Sequence, residues 1–242
     1  YFLKGNLIKR SETESSKNKK ETIRIEQIRN IKTFLARKSI QSGKKVLITQ
    51  SGLITDIQTQ QANPIDSDVF DFLNQYGFNL KKNLVLDKKC GSVQVQERRG
   101  IFMMNRPMEY PFFPVIQRFN SDEVIVADLE QVLTFFPSEI VLDTVQNDNV
   151  LNTLSLFETS NNSGLMEGNF MLSPDPQQNP FLNNLGQKGK TLAALTKLSS
   201  GGEVILISDS KFLSDEGGMS IEAGQKIMWQ EALGRYIIIR DH

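Results

Sequence analysis

Gly201-Gly202-Glu203-Val204-Ile205-Leu206-Ile207-Ser208-Asp209-Ser210-Lys211-Phe212-Leu213 is the stretch on which the fold turns. A glycine pair opens it, a continuous Val/Ile/Leu run follows, and Ser208-Asp209-Ser210 stops it. An apolar run of this length between turn residues reads as a strand buried on both faces. Such strands belong to parallel sheets covered by helices, where ligands gather at the carboxyl ends of the strands. Asp209 is therefore either a working carboxylate or a cap on the following turn.

Outward from this run, strand-like and helix-like segments alternate. Lys9 to Glu21 is polar, and residues 1–20 read as a linker or exposed loop. From Glu21, Ile25, Ile28, Ile31, Phe34 and Leu35 recur at helical spacing. Lys45 to Thr49 is a short buried strand. After the Gln-rich loop Gln58 to Gln61, Asp66 or Ser67 caps a helix with Val69, Phe72, Leu73 and Tyr76 as its stripe, and Gly77 ends it.

Leu84 to Asp87 is another strand. Pro107, Pro111 and Pro114 make the middle irregular, and Glu123 to Ala127 and Glu139 to Leu142 read as strands. Val150 to Thr159 reads as a strand or a loop edge. The Asn/Ser/Gly/Pro-rich stretch at about 161–184 reads as a long exposed excursion. Lys190 to Leu198, with Leu192, Leu195 and Leu198, reads as a helix. A Gly217-Gly218 loop, a helix from Ser220 to Leu233 and a strand from Tyr236 to Ile239 close the chain. The alternation predicts an α/β fold over 21–242: a mostly parallel sheet covered by helices, Rossmann-like or glutamine-amidotransferase-like, with an irregular Pro/Asn-rich insertion.

Composition excludes several chemistries. Of 242 residues, 39% are hydrophobic, and 28 basic residues balance 28 acidic ones, so there is no basic footprint for nucleic acid. Lys17 to Lys20 read as a solvated linker. One cysteine (Cys90) and one histidine (the terminal His242) exclude an intrachain disulfide, a Cys/His zinc site and an internal Ser-His or Cys-His pair. No window reaches the roughly 20 apolar residues of a spanning helix. No signal-peptide pattern opens the chain, and Tyr1 in place of Met suggests an excised piece.

Three apolar runs end in Asp: Asp87, Asp143 and Asp209. If their strands are parallel neighbours, the carboxylates converge and hold Mg²⁺ or Ca²⁺ in a metal-dependent hydrolase or transferase. The competing role for each is a turn cap. Ser208 lacks both the Gly-x-Ser-x-Gly elbow and a base. Cys90, beside Lys88 and Lys89, reads as a plain loop cysteine rather than a lowered-pKa thiolate. Gly201-Gly202 precedes its strand, so it reads as a helix C-cap and turn rather than a phosphate cradle. The rings of Phe102, Tyr110, Phe112, Phe113 and Phe119 read as core, with a glycan or small-ligand groove as the alternative.

Five ordered segments resemble the GldG-type gliding-motility and ABC-transporter auxiliary family. They are Ile28 to Ile48; Asp66 to Asp87, containing Phe72-Leu73-Asn74-Gln75-Tyr76-Gly77; Tyr110 to Ile116 with Phe119-Asn120 and Ile125 to Leu129; Lys190 to Leu195 with Val204 to Leu213; and Ile237 to Arg240. The resemblance implies a non-catalytic domain on the extracytoplasmic (periplasmic) face of the bacterial inner membrane, without a cofactor. It implies ABC permease and ATPase subunits as partners, an exported protein or polysaccharide as a further one, and anchoring helices outside this chain.

Overall fold

The computed structural model describes residues 33–99, 102–143, 147–168, 170–212 and 237–240. The chain divides into two compact units, Tyr1–Lys38 and Ser39–His242. In the first, residues 33–38 are helical, and all that follows concerns the second. The expected linker at 1–20, the Gly217-Gly218 loop and the helix from Ser220 to Leu233 lie outside the described residues.

The run at 203–207 is a buried strand, but the sheet around it is not the expected one. β1 (Lys45–Thr49) and β14 (Glu203–Ile207) pair in parallel, Leu47 opposite Ile205, and β15 (Ile237–Arg240) pairs in parallel with β1 on its other side. Beyond β14 the direction reverses. β13 (Thr191–Leu198), β11 (Val150–Glu158) and β8 (Arg118–Phe119) add antiparallel, giving a six-stranded mixed sheet in the order β15-β1-β14-β13-β11-β8.

Four small antiparallel sheets complete the described part. β2 (Leu53–Asp56) pairs with β3 (Gln61–Pro64), β4 (Phe78–Leu80) with β10 (Ile140–Leu142), and β5 (Leu84–Asp87) with β12 (Ser163–Met166). β6 (Cys90–Arg99), β7 (Phe102–Ile116) and β9 (Val132–Leu133) form the last. The fold is thus mostly β, and the expected helix-covered parallel α/β architecture is corrected. Apolar runs specify burial but not direction, so the parallel β1–β14–β15 trio looks Rossmann-like in sequence while the strands after it turn back.

Two local expectations fail for identifiable reasons. The leucine spacing of 190–198 suggests a helix, but these residues are β13, a central strand buried on both faces. Tertiary packing overrides the helix propensity of Ala193 and Ala194, which are fully buried between flanking strands. Conversely, the expected strand at 123–127 is one helical turn, α2 (Val124–Ala127). Asn120 starts it: its side chain accepts the Asp122 N–H at 3.2 Å and its carbonyl the Glu123 N–H at 3.1 Å. The helix with the Phe72-Leu73 stripe is present as α1 (Val69–Asn74), closed by Gly77 at φ +85°. The Ser67 hydroxyl accepts its Val69 N–H at 3.4 Å.

Among the described residues, strand alternation separates two buried apolar clusters. One cluster lies on a face of the large sheet, with Leu47, Leu195, Ile205 and Ile207 against Val85, Ile116, Val126 and Val132. The other gathers Leu84, Leu86, Tyr110, Phe112, Phe136 and Met166. β5 belongs to both: Val85 points one way, Leu84 and Leu86 the other, as a period of two dictates.

The chain leaves β1 through a crowded point. A Cβ on Gly52 would lie 2.1 Å from the Lys81 carbonyl oxygen and 2.8 Å from Ser138 Oγ. Its N–H donates to Ser138 Oγ at 2.9 Å, and its carbonyl accepts the Ile65 N–H at 3.0 Å. Because backbone cannot retreat as a side chain can, Gly52→Ala is expected to cost about 3 kcal/mol. The check is a lower denaturant midpoint with an unchanged m-value; an unchanged midpoint would refute the close approach.

Candidate functional site

The carboxyl ends of β1 and β14 lie side by side where the sheet switches from parallel to antiparallel. Polar residues are buried there: Thr49, Gln50, Ser51, Ser138, Ser208 and Asp209. Backbone bonds knit them, with Gln50 N–H donating to Ile207 O at 3.0 Å and Ser138 N–H to Ser208 O at 3.1 Å. The Ser51 hydroxyl accepts the Ser210 N–H at 2.9 Å. The Thr49 and Ser208 hydroxyls are buried without a hydrogen-bond partner.

Asp209 is fully buried in this setting. One carboxylate oxygen accepts the Phe135 N–H and the other the Lys211 N–H, both at 2.8 Å. Burial pushes its pKa up to about 7, against the lowering effect of those N–H donors and of the Lys211 charge. The bond to Lys211, two residues on, is an Asx-type turn. The bond to Phe135 ties β14 to the segment after β9.

Asp87 is also fully buried, at the end of β5. Its carboxylate accepts the Ser160 N–H and the Ser160 hydroxyl, each at 2.6 Å, and the Lys89 N–H at 2.9 Å. Asp143 follows β10, is exposed, and accepts one bond from Asn79 Nδ2 at 2.8 Å. The three strands preceding these acids sit in three different sheets, and each acid has its own protein partners. Among the described residues no group of three or more His, Cys, Asp or Glu side chains is placed to hold a metal ion.

Cys90 opens β6 and is half-buried. Burial raises its thiol pKa to about 11, and the nearby Glu109 and Asp87 charges add to that, so it is a thiol and not a thiolate at neutral pH. The five aromatic residues do not form one groove. Tyr110 and Phe112 are buried in the second core, where Phe113 and Phe136 join them, and the Tyr110 hydroxyl donates to Leu172 O at 2.8 Å. Phe119 packs edge-on against Phe157, and Phe102 is exposed.

Sequence reasoning passed over a cleft of about 420 Å³ beside β3, between Thr59 to Pro64 and the segment around Phe170 to Gln178. Gln60, Gln61, Asn63 and Gln178 give it amide groups, and Phe170 and Met171 give it apolar wall. The described lining residues include no titratable side chain, so the cleft suits hydrogen bonding to a neutral polar group rather than acid–base chemistry. Its signal in the sequence was the Gln-rich stretch 58–61. That stretch turns a hairpin, with Gln60 at φ +54°, instead of running as an open loop.

Residues 20–230 match the family model described as an ABC-type uncharacterized transport system, the ABC transporter auxiliary family. The chain belongs to that family. No curated protein and no solved structure matches it significantly. Membership makes this auxiliary chain part of an ABC-type transport system, and such systems are membrane-associated. Within the auxiliary chain, no described helix is long and apolar enough to cross a membrane.

Proposed function

We propose that this auxiliary chain is a non-catalytic binding or scaffolding domain on the extracytoplasmic face of the inner membrane, in an ABC transport system of the gliding-motility type. It works beside the permease and the ATPase and contacts an exported protein or polysaccharide. The observation that carries this reading is the family match over residues 20–230. The state of the candidate acids supports it. Asp87 and Asp209 spend their oxygens on backbone N–H groups and on Ser160, which leaves them holding turns.

The rival is a metal-dependent hydrolase using Asp209 with Asp87 or Asp143, and one pair of measurements separates the two. Crosslinking in membranes that carry the intact parent protein is expected to recover the permease. Titration calorimetry of the chain with Mg²⁺ and with Ca²⁺ is expected to give no binding heat. Ion binding that disappears in Asp209→Asn, together with ester or phosphoester turnover, would overturn the scaffolding role.

A further inference from the structure

β6 and β7 form a long two-stranded ribbon. Among the described residues, from the Ser92–Glu109 pair to the Arg99–Phe102 pair they pair in unbroken register only with each other, and β9 joins β7 only at Val115 and Ile116. Eight paired positions at about 3.3 Å each give an arm of roughly 26 Å. Its end carries apolar side chains of β7 on both faces, each opposite a charged residue of β6: Phe102 across from Arg99, Met103 from Arg98 and Met104 from Glu97. Phe102, Met103 and Met104 are 68%, 60% and 54% exposed, and consecutive strand residues face opposite ways. Isolated exposed apolar residues are ordinary, but three consecutive ones at the end of an arm are not. In sequence, Ile101 precedes them, and between Glu97 and Arg106 three arginines (Arg98, Arg99 and Arg106) stand against a single glutamate. Arg106 is more than half exposed while pairing with Glu97 at 3.5 Å.

We propose that the tip of this hairpin docks on an anionic phospholipid bilayer. A flat protein surface would cover one face of the ribbon and leave Met103 or the Phe102–Met104 pair in water. The headgroup–acyl boundary surrounds the tip and accepts both faces at once. The excess of arginine over glutamate in this stretch matches lipid phosphates in charge, and a side chain of arginine's length can reach a phosphate while its stem lies in the apolar layer. The outer edges of the ribbon carry unpaired backbone groups that need water, so insertion is shallow and limited to the residues around Phe102 to Met104. The proposal stands on the hairpin and not on the transport role, so its failure would leave that role untouched.

The test uses the full chain with vesicles of phosphatidylglycerol and phosphatidylethanolamine, and with phosphatidylcholine vesicles for comparison. The chain is expected to co-sediment with the anionic vesicles, progressively less as salt is raised. Phe102→Ser together with Met104→Ser should lower that partitioning at least tenfold with an unchanged circular dichroism spectrum. Phe102→Trp keeps the apolar tip, and the emission it adds to that of the wild type should shift to the blue with anionic vesicles only. Equal partitioning of the wild type and the double Ser variant, or no blue shift in the emission that Phe102→Trp adds, overturns the proposal. So does concentration-dependent self-association abolished by the double Ser variant, which would make a second copy of the chain the occupant.

Discussion

Asp87→Ala is expected to lower unfolding stability by about 3–5 kcal/mol. The carboxylate is fully buried and accepts three hydrogen bonds, two of them from Ser160 in the turn between β11 and β12. That turn is held in its own right by the Asn162 N–H donating to Ser160 Oγ at 3.0 Å. Alanine would strand two backbone N–H groups and a hydroxyl in a site that water does not readily reach, and each orphaned donor costs about 1–3 kcal/mol. The pairing of β5 with β12 starts at this point, Asp87 opposite Ser163, so the second core loosens with it. Domains of this kind have only about 5–15 kcal/mol in total. Asp143→Ala is the matched control: an exposed acid with one bond to Asn79, expected to change stability by less than about 1 kcal/mol. Denaturant unfolding of both at neutral pH decides the matter, and equal effects would show that Asp87 does not hold the turn.

The second large effect is a pH dependence located at Asp209. Its pKa in the fold is about 7, against 3.8 as the ordinary value, because burial disfavours the charged form. Below pH 4 the side chain is protonated in both the folded and unfolded states. Between about pH 4 and pH 7 the unfolded chain releases the proton and the fold retains it, so stability falls as pH rises, by about 1.4 kcal/mol for each pH unit. The loss is on the order of 4 kcal/mol and is complete above about pH 7. Asp209→Asn removes this titration while placing an amide N–H against one of the two N–H donors, so it shifts the whole curve without the slope. The stability of the wild type minus that of Asp209→Asn, followed by urea unfolding from about pH 4 to pH 8, should decline and then level off. A flat difference would mean that Asp209 is ionised in the fold throughout.

The same two residues show what was legible beforehand. Asp87 and Asp209 stand out because each ends an apolar run, and the turn-capping alternative named for them is a bond two residues ahead that any such Asp can make. What each does besides is long-range. Asp209 reaches Phe135, 74 residues away, and Asp87 reaches Ser160, 73 residues away. No local pattern announces those partners. The hairpin arm was hidden differently. Pro107, Pro111 and Pro114 argue against a strand, yet Pro107 falls where β7 is an edge and a missing N–H can face open space, Pro111 falls in the register break between the Ser92–Glu109 and Cys90–Pro114 pairs, and Pro114 takes part as an acceptor, its carbonyl receiving the Thr134 N–H.

By itself the sequence determined the family, through the order of its segments, and the positions of β1, β5, β10, β14 and β15, because continuous burial of Leu84 to Leu86 and Val204 to Ile207 requires apolar runs wherever those strands go. With one cysteine and one terminal histidine, its composition also left no intrachain disulfide and no internal histidine to activate a serine or cysteine. Only the tertiary structure decided which way the strands run, that Leu192 to Leu198 forms a strand, and that the three acids have separate partners. The physical reason is that side-chain periodicity records how a segment is buried, whereas direction, pairing and convergence depend on contacts between residues far apart in the chain.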